Sequence, residues 1–198
     1  MKKSVIYIHG QGGNSEEAKH YEKLFEGYDV IGFDYRSEFP WEAEKEFPVL
    51  FDSLCGKYES VILIANSIGA YFAMCSLSDK KIDKAYFISP IVNMRKLIEE
   101  MMSMSGVSEA ELREKGEVET AFGQTLSWKY YLYAKSRETD WSVPTAVLYG
   151  SEDKLTSFET ISDFAEKTGA SLTVMQNGEH WFHTEEQMKF LDNWLKSE

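Results

Sequence analysis

Ser67 stands in the run Ala65-Asn66-Ser67-Ile68-Gly69-Ala70, directly after an apolar strand-like stretch and at the opening of a helical one. A serine on so sharp a strand-to-helix turn is pushed out of the sheet edge, with its hydroxyl exposed over a helix N-terminus. Small neighbours are needed because the turn crowds the backbone. Ala65 stands where the Gly-x-Ser-x-Gly pattern places its first glycine, and it is small enough to keep the turn. The bland alternative is a helix start with no chemistry.

Three further stretches hold groups that serve such a hydroxyl. His9-Gly10-Gln11-Gly12-Gly13-Asn14 again follows a strand-like run, and its glycines let backbone N–H groups approach an oxyanion. The same loop half-fits a dinucleotide fingerprint, with Gly10-x-Gly12 and Asp34 at the end of the next strand, although Ser15 replaces the third glycine. It lacks the lysine of a phosphate-cradling loop. Gly150-Ser151-Glu152-Asp153-Lys154 places a carboxylate after another strand; a solvated acidic turn is the alternative, and Asp34 is a second candidate acid. Asn177-Gly178-Glu179-His180-Trp181-Phe182-His183 holds two of the chain's four histidines. His20 falls in an amphipathic stretch and His9 in the glycine loop, so a general base is sought at His180 or His183. No His/Cys cluster of metal-binding spacing is present.

The intervening residues supply the frame. Nearly continuous apolar runs at 4–8, 29–33, 61–65, 85–88, 145–149 and 172–175 read as parallel strands buried on both faces. Helical periodicity at 16–25, 41–58, 68–77, 158–167 and 185–196 fills the gaps between them. The alternation predicts an α/β fold, with helices on both faces of an open, mostly parallel six-stranded sheet. About fifty residues before Pro144 show helical patches at 94–104, 109–115 and 128–135 and no clear strand, which predicts a helical insertion over 91–143.

The chain has 198 residues, 43% hydrophobic and 27% charged, as expected of one globular domain. Its 33 acidic against 21 basic residues give a net charge of −12, which disfavours nucleic acid and anionic membrane surfaces as partners. No apolar run approaches the roughly 20 residues of a membrane span, and the short run after Lys2-Lys3 is not expected to be a secretory signal. Two cysteines make neither a disulfide framework nor a zinc site, so a cytoplasmic protein with reduced thiols is expected.

Ser67, Asp153 and His180 each follow a different strand, in the order Ser…Asp…His, which is the order of α/β-hydrolase triads. On HGQGGN at 9–14, ANSIGA at 65–70, GSEDK at 150–154 and GEHWFH at 178–183 the chain resembles the α/β-hydrolase superfamily over nearly its whole length. It looks like a small single-domain member lacking the first two strands. The resemblance implies Ser67 as nucleophile, Asp153 as acid, His180 as base, and the N–H groups of Gln11 and Ile68 as oxyanion hole. It places the insertion where the family carries a lid. His180 fits the family's spacing after a loop glycine, whereas His183 lies close to the next helix and fits a supporting or capping role.

The implied activity is hydrolysis of a carboxylic ester or thioester of a small substrate through an acyl-enzyme, without metal or other cofactor. A hydrolase-fold binding protein with little turnover is the alternative. Met94, Met101, Met102 and Met104 are half of the eight methionines, and with Trp128, Tyr130, Tyr131 and Tyr133 they give the insertion an adaptable apolar wall. Met101, Met102 and Trp128 are the candidate substrate-binding residues, with packing of the insertion as the competing role.

Overall fold

In a computed structural model of the chain, residues 2–121 and 123–198 are described. They divide into two compact units, one formed by 1–92 together with Asp140–Glu198 and the other by Asn93–Thr139.

The larger unit is built on strands β1 (Lys3–Ile8), β2 (Asp29–Gly32), β3 (Ser60–Asn66) and β4 (Lys84–Ile88), joined after the insertion by two more. Between β1 and β2 runs a 3-10 helix over Ser15–Tyr21, followed later by α1 (Pro40–Cys55) and α2 (Ile68–Ser76). The smaller unit holds α3 (Met94–Ser105), α4 (Glu109–Lys115), β5 (Glu117–Glu119), β6 (Thr125–Ser127) and α5 (Trp128–Lys135). The chain then returns through β7 (Thr145–Gly150), α6 (Phe158–Thr168), β8 (Ser171–Met175) and α7 (Glu185–Ser197).

Six strands pair in the order β2-β1-β3-β4-β7-β8, and every pairing in that sheet is parallel. Because side chains alternate across a strand, Val5, Tyr7, Tyr86, Ile88, Ala146 and Leu148 share one face. They pack with Ala18 and Tyr21 of the 3-10 helix and with Leu191, Trp194 and Leu195 of α7. The other face meets aromatic side chains: Phe33 lies against Phe47 of α1, Phe47 against Phe72 of α2, and Phe87 against Phe164 of α6. Helices therefore cover both faces, which is why the strands read as unbroken apolar runs.

An all-parallel sheet puts every strand's carboxyl end on one edge. From β1 the chain passes to β2 on one side and then crosses back to β3 on the other, so a crevice opens between the ends of β1 and β3. The His9–Asn14 loop and Ser67 occupy those two ends.

Two local expectations need correction. The helix expected over 16–25 is a 3-10 helix ending at Tyr21, because the buried residues Ala18 and Tyr21 are three apart and fit a three-residue turn. Gly27, in the left-handed region at φ 82°, then reverses the chain into β2. The insertion was expected to contain no strand, yet β5 and β6 form an antiparallel hairpin. With three residues each and glutamates at 117 and 119, they offer no hydrophobic run to read.

Within the smaller unit, α3 buries Met94, Ile98 and Met102 at four-residue spacing and stops at the left-handed Gly106. Tyr131 of α5 reaches the carboxylates of Glu99 (3.0 Å) and Glu109 (3.1 Å), and Lys135 pairs with Glu109.

Candidate active site

The backbone of Ser67 adopts φ 51°, ψ −120°, a conformation that L-residues avoid. Three hydrogen bonds hold it there: Ser67 N–H donates to the Ile88 carbonyl (3.0 Å), and the Ser67 carbonyl accepts from Ala70 (3.2 Å) and Ile91 (3.1 Å). Although Ser67 is the N-cap of α2, its hydroxyl makes no capping bond. It instead lies 2.8 Å from His180 Nε2.

The other ring nitrogen of His180 is 2.7 Å from Asp153 Oδ2. A carboxylate only accepts, so Nδ1 carries the proton and Nε2 is left to accept from Ser67. The Asp153 side chain is fully buried, and its second oxygen takes the backbone N–H groups of Leu155 (2.8 Å) and Thr156 (3.1 Å). Burial, and then the Asp153 charge, push the neighbouring Tyr149 phenol up from its ordinary value, and its hydroxyl is fixed on the Thr156 carbonyl.

Small residues let these segments meet. A Cβ on Gly10 would lie 3.1 Å from Ser67 Cβ, and one on Gly69 would lie 2.4 Å from the His9 carbonyl oxygen. The glycine loop and the elbow are thus in backbone contact. His9 orders the loop rather than acting as a base: its ring stacks on Tyr35 at 4.2 Å and bonds the Gly10 carbonyl at 2.8 Å. Among the described residues, neither the Gln11 nor the Ile68 N–H has an acceptor, as an oxyanion hole requires.

The structure thus brings Ser67, His180 and Asp153 into one hydrogen-bonded chain. Asp34 is exposed beyond the edge strand β2 and outside that chain. His183 sits on its own loop, 2.7 Å from the Trp181 carbonyl and 3.7 Å from the Glu179 carboxylate. In the smaller unit Met102 is buried, Met101 is half-buried, and Trp128 packs against Tyr131 with ring centres 5.7 Å apart.

Sequence reasoning missed Tyr7 and Glu17. The Tyr7 hydroxyl donates to Glu17 at 2.6 Å, and Glu17 also accepts from the Asn14 N–H at 3.3 Å. Burial chiefly, then Tyr21 and Glu17, raise the Tyr7 phenol well above the ordinary tyrosine range, while hydrogen bonding with the Asn66 side chain opposes the shift. Asn14 followed three residues later by Glu17 is a capping-box spacing that points to the carboxylate.

No protein-family model matches the chain, and no curated protein matches it. Solved structures do. Over 98% of its length the chain is similar to alpha/beta hydrolase domain-containing protein 10 from mouse, with a TM-score of 0.78, 15% identity and 88% of that chain covered. Similarity to Est1E from Butyrivibrio proteoclasticus covers 99% of this chain and 86% of that one, with a TM-score of 0.75 and 15% identity. An esterase from Pyrococcus furiosus matches at a TM-score of 0.59 and 21% identity, over 99% of this chain and 80% of that one. The chain has the α/β-hydrolase fold. No helix among the described residues is long and apolar enough to cross a membrane.

Proposed function

We propose that this protein is a serine hydrolase that cleaves carboxylic ester or thioester bonds of a small substrate. The observation that carries the reading is the unbroken chain from Asp153 through His180 to Ser67, at 2.7 Å and 2.8 Å. Ser67 Oγ attacks the carbonyl carbon while its proton passes to His180 Nε2. Asp153 holds the ring tautomer and stabilises the imidazolium, and the Gln11 and Ile68 N–H groups receive the developing oxyanion. Collapse breaks the bond to the leaving oxygen or sulfur, which takes the proton from His180 and departs as the alcohol or thiol. A water, deprotonated by His180, then hydrolyses the acyl-enzyme and releases the acid.

A serine at the elbow favours ester over dehalogenase chemistry, and an esterase is named among the structural neighbours. By the resemblance the insertion over 91–143 falls where the family carries a lid, and its thioether and aromatic content supports Met101, Met102 and Trp128 as the candidate substrate-binding residues. Both cysteines are free thiols, which favours the cytoplasm.

A fluorophosphonate probe tests the reading. Wild type should be labelled and Ser67→Ala left unlabelled; equal labelling of the two removes Ser67 from its role.

A further inference from the structure

Trp181 is 68% exposed, although it immediately follows the candidate base. The indole is exposed without being loose. One face stacks on the His183 ring, with centres 4.3 Å apart and planes 18° from parallel. His183 is itself pinned, since Nδ1 donates to the Trp181 carbonyl (2.7 Å) and its backbone N–H donates to Gln187 Oε1 (3.1 Å). Gln187 in turn donates to Glu179 at 3.3 Å. A rigid indole with a free face is preorganised for a flat partner.

That indole borders a cleft of about 610 Å³, lined also by Leu155, His180 and the charged side chains Glu152, Lys154 and Glu179. His180 is therefore both the candidate base and a wall of the cleft. In acyl transfer the base hands its proton to the departing oxygen, so whatever that oxygen carries lies on the His180 side. The rim charges are of mixed sign and select no ionic group, whereas the indole and the leucine offer flat and apolar surface.

We infer that the cleft between the Leu155 and Trp181 loops is a subsite for a flat aromatic alcohol stacked on Trp181. It rests on the hydrolase reading to the extent that this alcohol is the leaving group: the ester C–O bond breaks, and the alcohol oxygen takes the His180 proton.

Benzyl acetate and cyclohexylmethyl acetate test this. They share an acyl group and a primary alcohol, and differ in the flatness of the ring. Wild type should prefer the benzyl ester in kcat/KM by about three- to tenfold, the range of an aromatic pair. Trp181→Ala should bring the ratio to about one, and Trp181→Phe should retain most of it. Binding of benzyl alcohol to Ser67→Ala is followed independently through the Trp181 indole N–H resonance, assigned with Trp181→Phe. An equal ratio in wild type and Trp181→Ala, with no resonance shift, overturns the subsite and leaves a Ser67-dependent esterase standing. A shift of that resonance in a protein that hydrolyses no ester sustains the subsite and sinks the hydrolase reading.

Discussion

The Tyr7 hydroxyl, on a side chain buried near the end of β1, donates to the Glu17 carboxylate across 2.6 Å. Glu17 also accepts the Asn14 N–H, and it lies so close to Gly13 that a Cβ there would stand 2.8 Å from Glu17 Oε1. Tyr7 interacts in addition with the side chain of Asn66, the residue before Ser67. One buried phenol thus links the two segments whose N–H groups face the proposed oxyanion. Tyr7 is buried whereas Glu17 is exposed, so it is the phenol that would be left unsatisfied without the bond between them.

Loosening that strut should impair the oxyanion hole without removing it. Loss of a whole donor lowers kcat by about 10²–10³. For Glu17→Ala a smaller loss of about tenfold in kcat is expected, with KM within about twofold. Glu17→Gln keeps an acceptor oxygen and should recover most of the rate. Steady-state kinetics on p-nitrophenyl acetate check this, and the affinity of a phenylboronate, which mimics the tetrahedral state, should fall in step with kcat.

The acid is distinguished by comparing two aspartates. Asp153→Asn keeps the shape but offers the imidazole no charge and an ambiguous tautomer, and kcat should fall by about 10⁴. Asp34→Asn lies outside the hydrogen-bonded chain and should stay within about twofold of wild type. Turnover of the two variants side by side reverses the assignment if the losses are reversed.

Acidification should abolish activity. Once protonated, His180 Nε2 donates rather than accepts and can no longer take the Ser67 proton, so kcat/KM declines on the acid side and recovers as the ring is deprotonated. A pH–rate profile measured where circular dichroism shows the fold intact checks the direction. A profile that stays flat over the whole acid range in which the fold is intact contradicts His180 as base.

Met101 and Met102 separate substrate contact from packing. Met102 lies on the buried face of α3 with Met94 and Ile98, so Met102→Ala should destabilise that unit by about 2–5 kcal/mol. Met101 is half-buried, and Met101→Ala should shift the acyl-length profile with little change in melting temperature. An unchanged profile in a p-nitrophenyl ester series leaves both residues as packing groups.

The strands were legible because a parallel strand covered on both faces leaves an uninterrupted apolar run, as 61–65 and 145–149 do. Ser67, Asp153 and His180 were legible because each sits at a punctuated strand end, where glycine and turn residues mark the exit. The β5–β6 hairpin was not, since its strands are only three residues long, one of them bearing two glutamates, and are too short to carry a periodic signal. Nor was the Tyr7–Glu17 bond: Tyr7 reads only as one more apolar residue of β1, and nothing local shows that its hydroxyl emerges beneath a carboxylate ten residues on.

Gly150 tests whether backbone contact, rather than side-chain chemistry alone, sets the geometry of the acid and the base. It ends β7, three residues before Asp153, and a Cβ there would lie 2.3 Å from the Gly178 carbonyl oxygen, two residues before His180. Glu152 N–H donates to that same carbonyl at 2.8 Å, and Ser151 N–H donates to the Met175 carbonyl at 3.0 Å, so the two loops are laced together where the glycines touch. A methyl group in this contact meets the backbone of Gly178 and Glu179 and cannot be absorbed by a rotamer change. Gly150→Ala should therefore separate the loops, lengthen the Asp153–His180 bond and lower kcat by at least about a hundredfold, since displacements near 1 Å lose that much. Overpacking of this kind lowers stability by about 1–3 kcal/mol, leaving a folded protein to assay. Ser151→Ala, which keeps the backbone contact and removes only the hydroxyl bonded to the Asn177 N–H, should retain most of the activity. Thermal melts and kinetics on both variants decide the point, and near-wild-type turnover in Gly150→Ala would show that the loops hold their register without the contact.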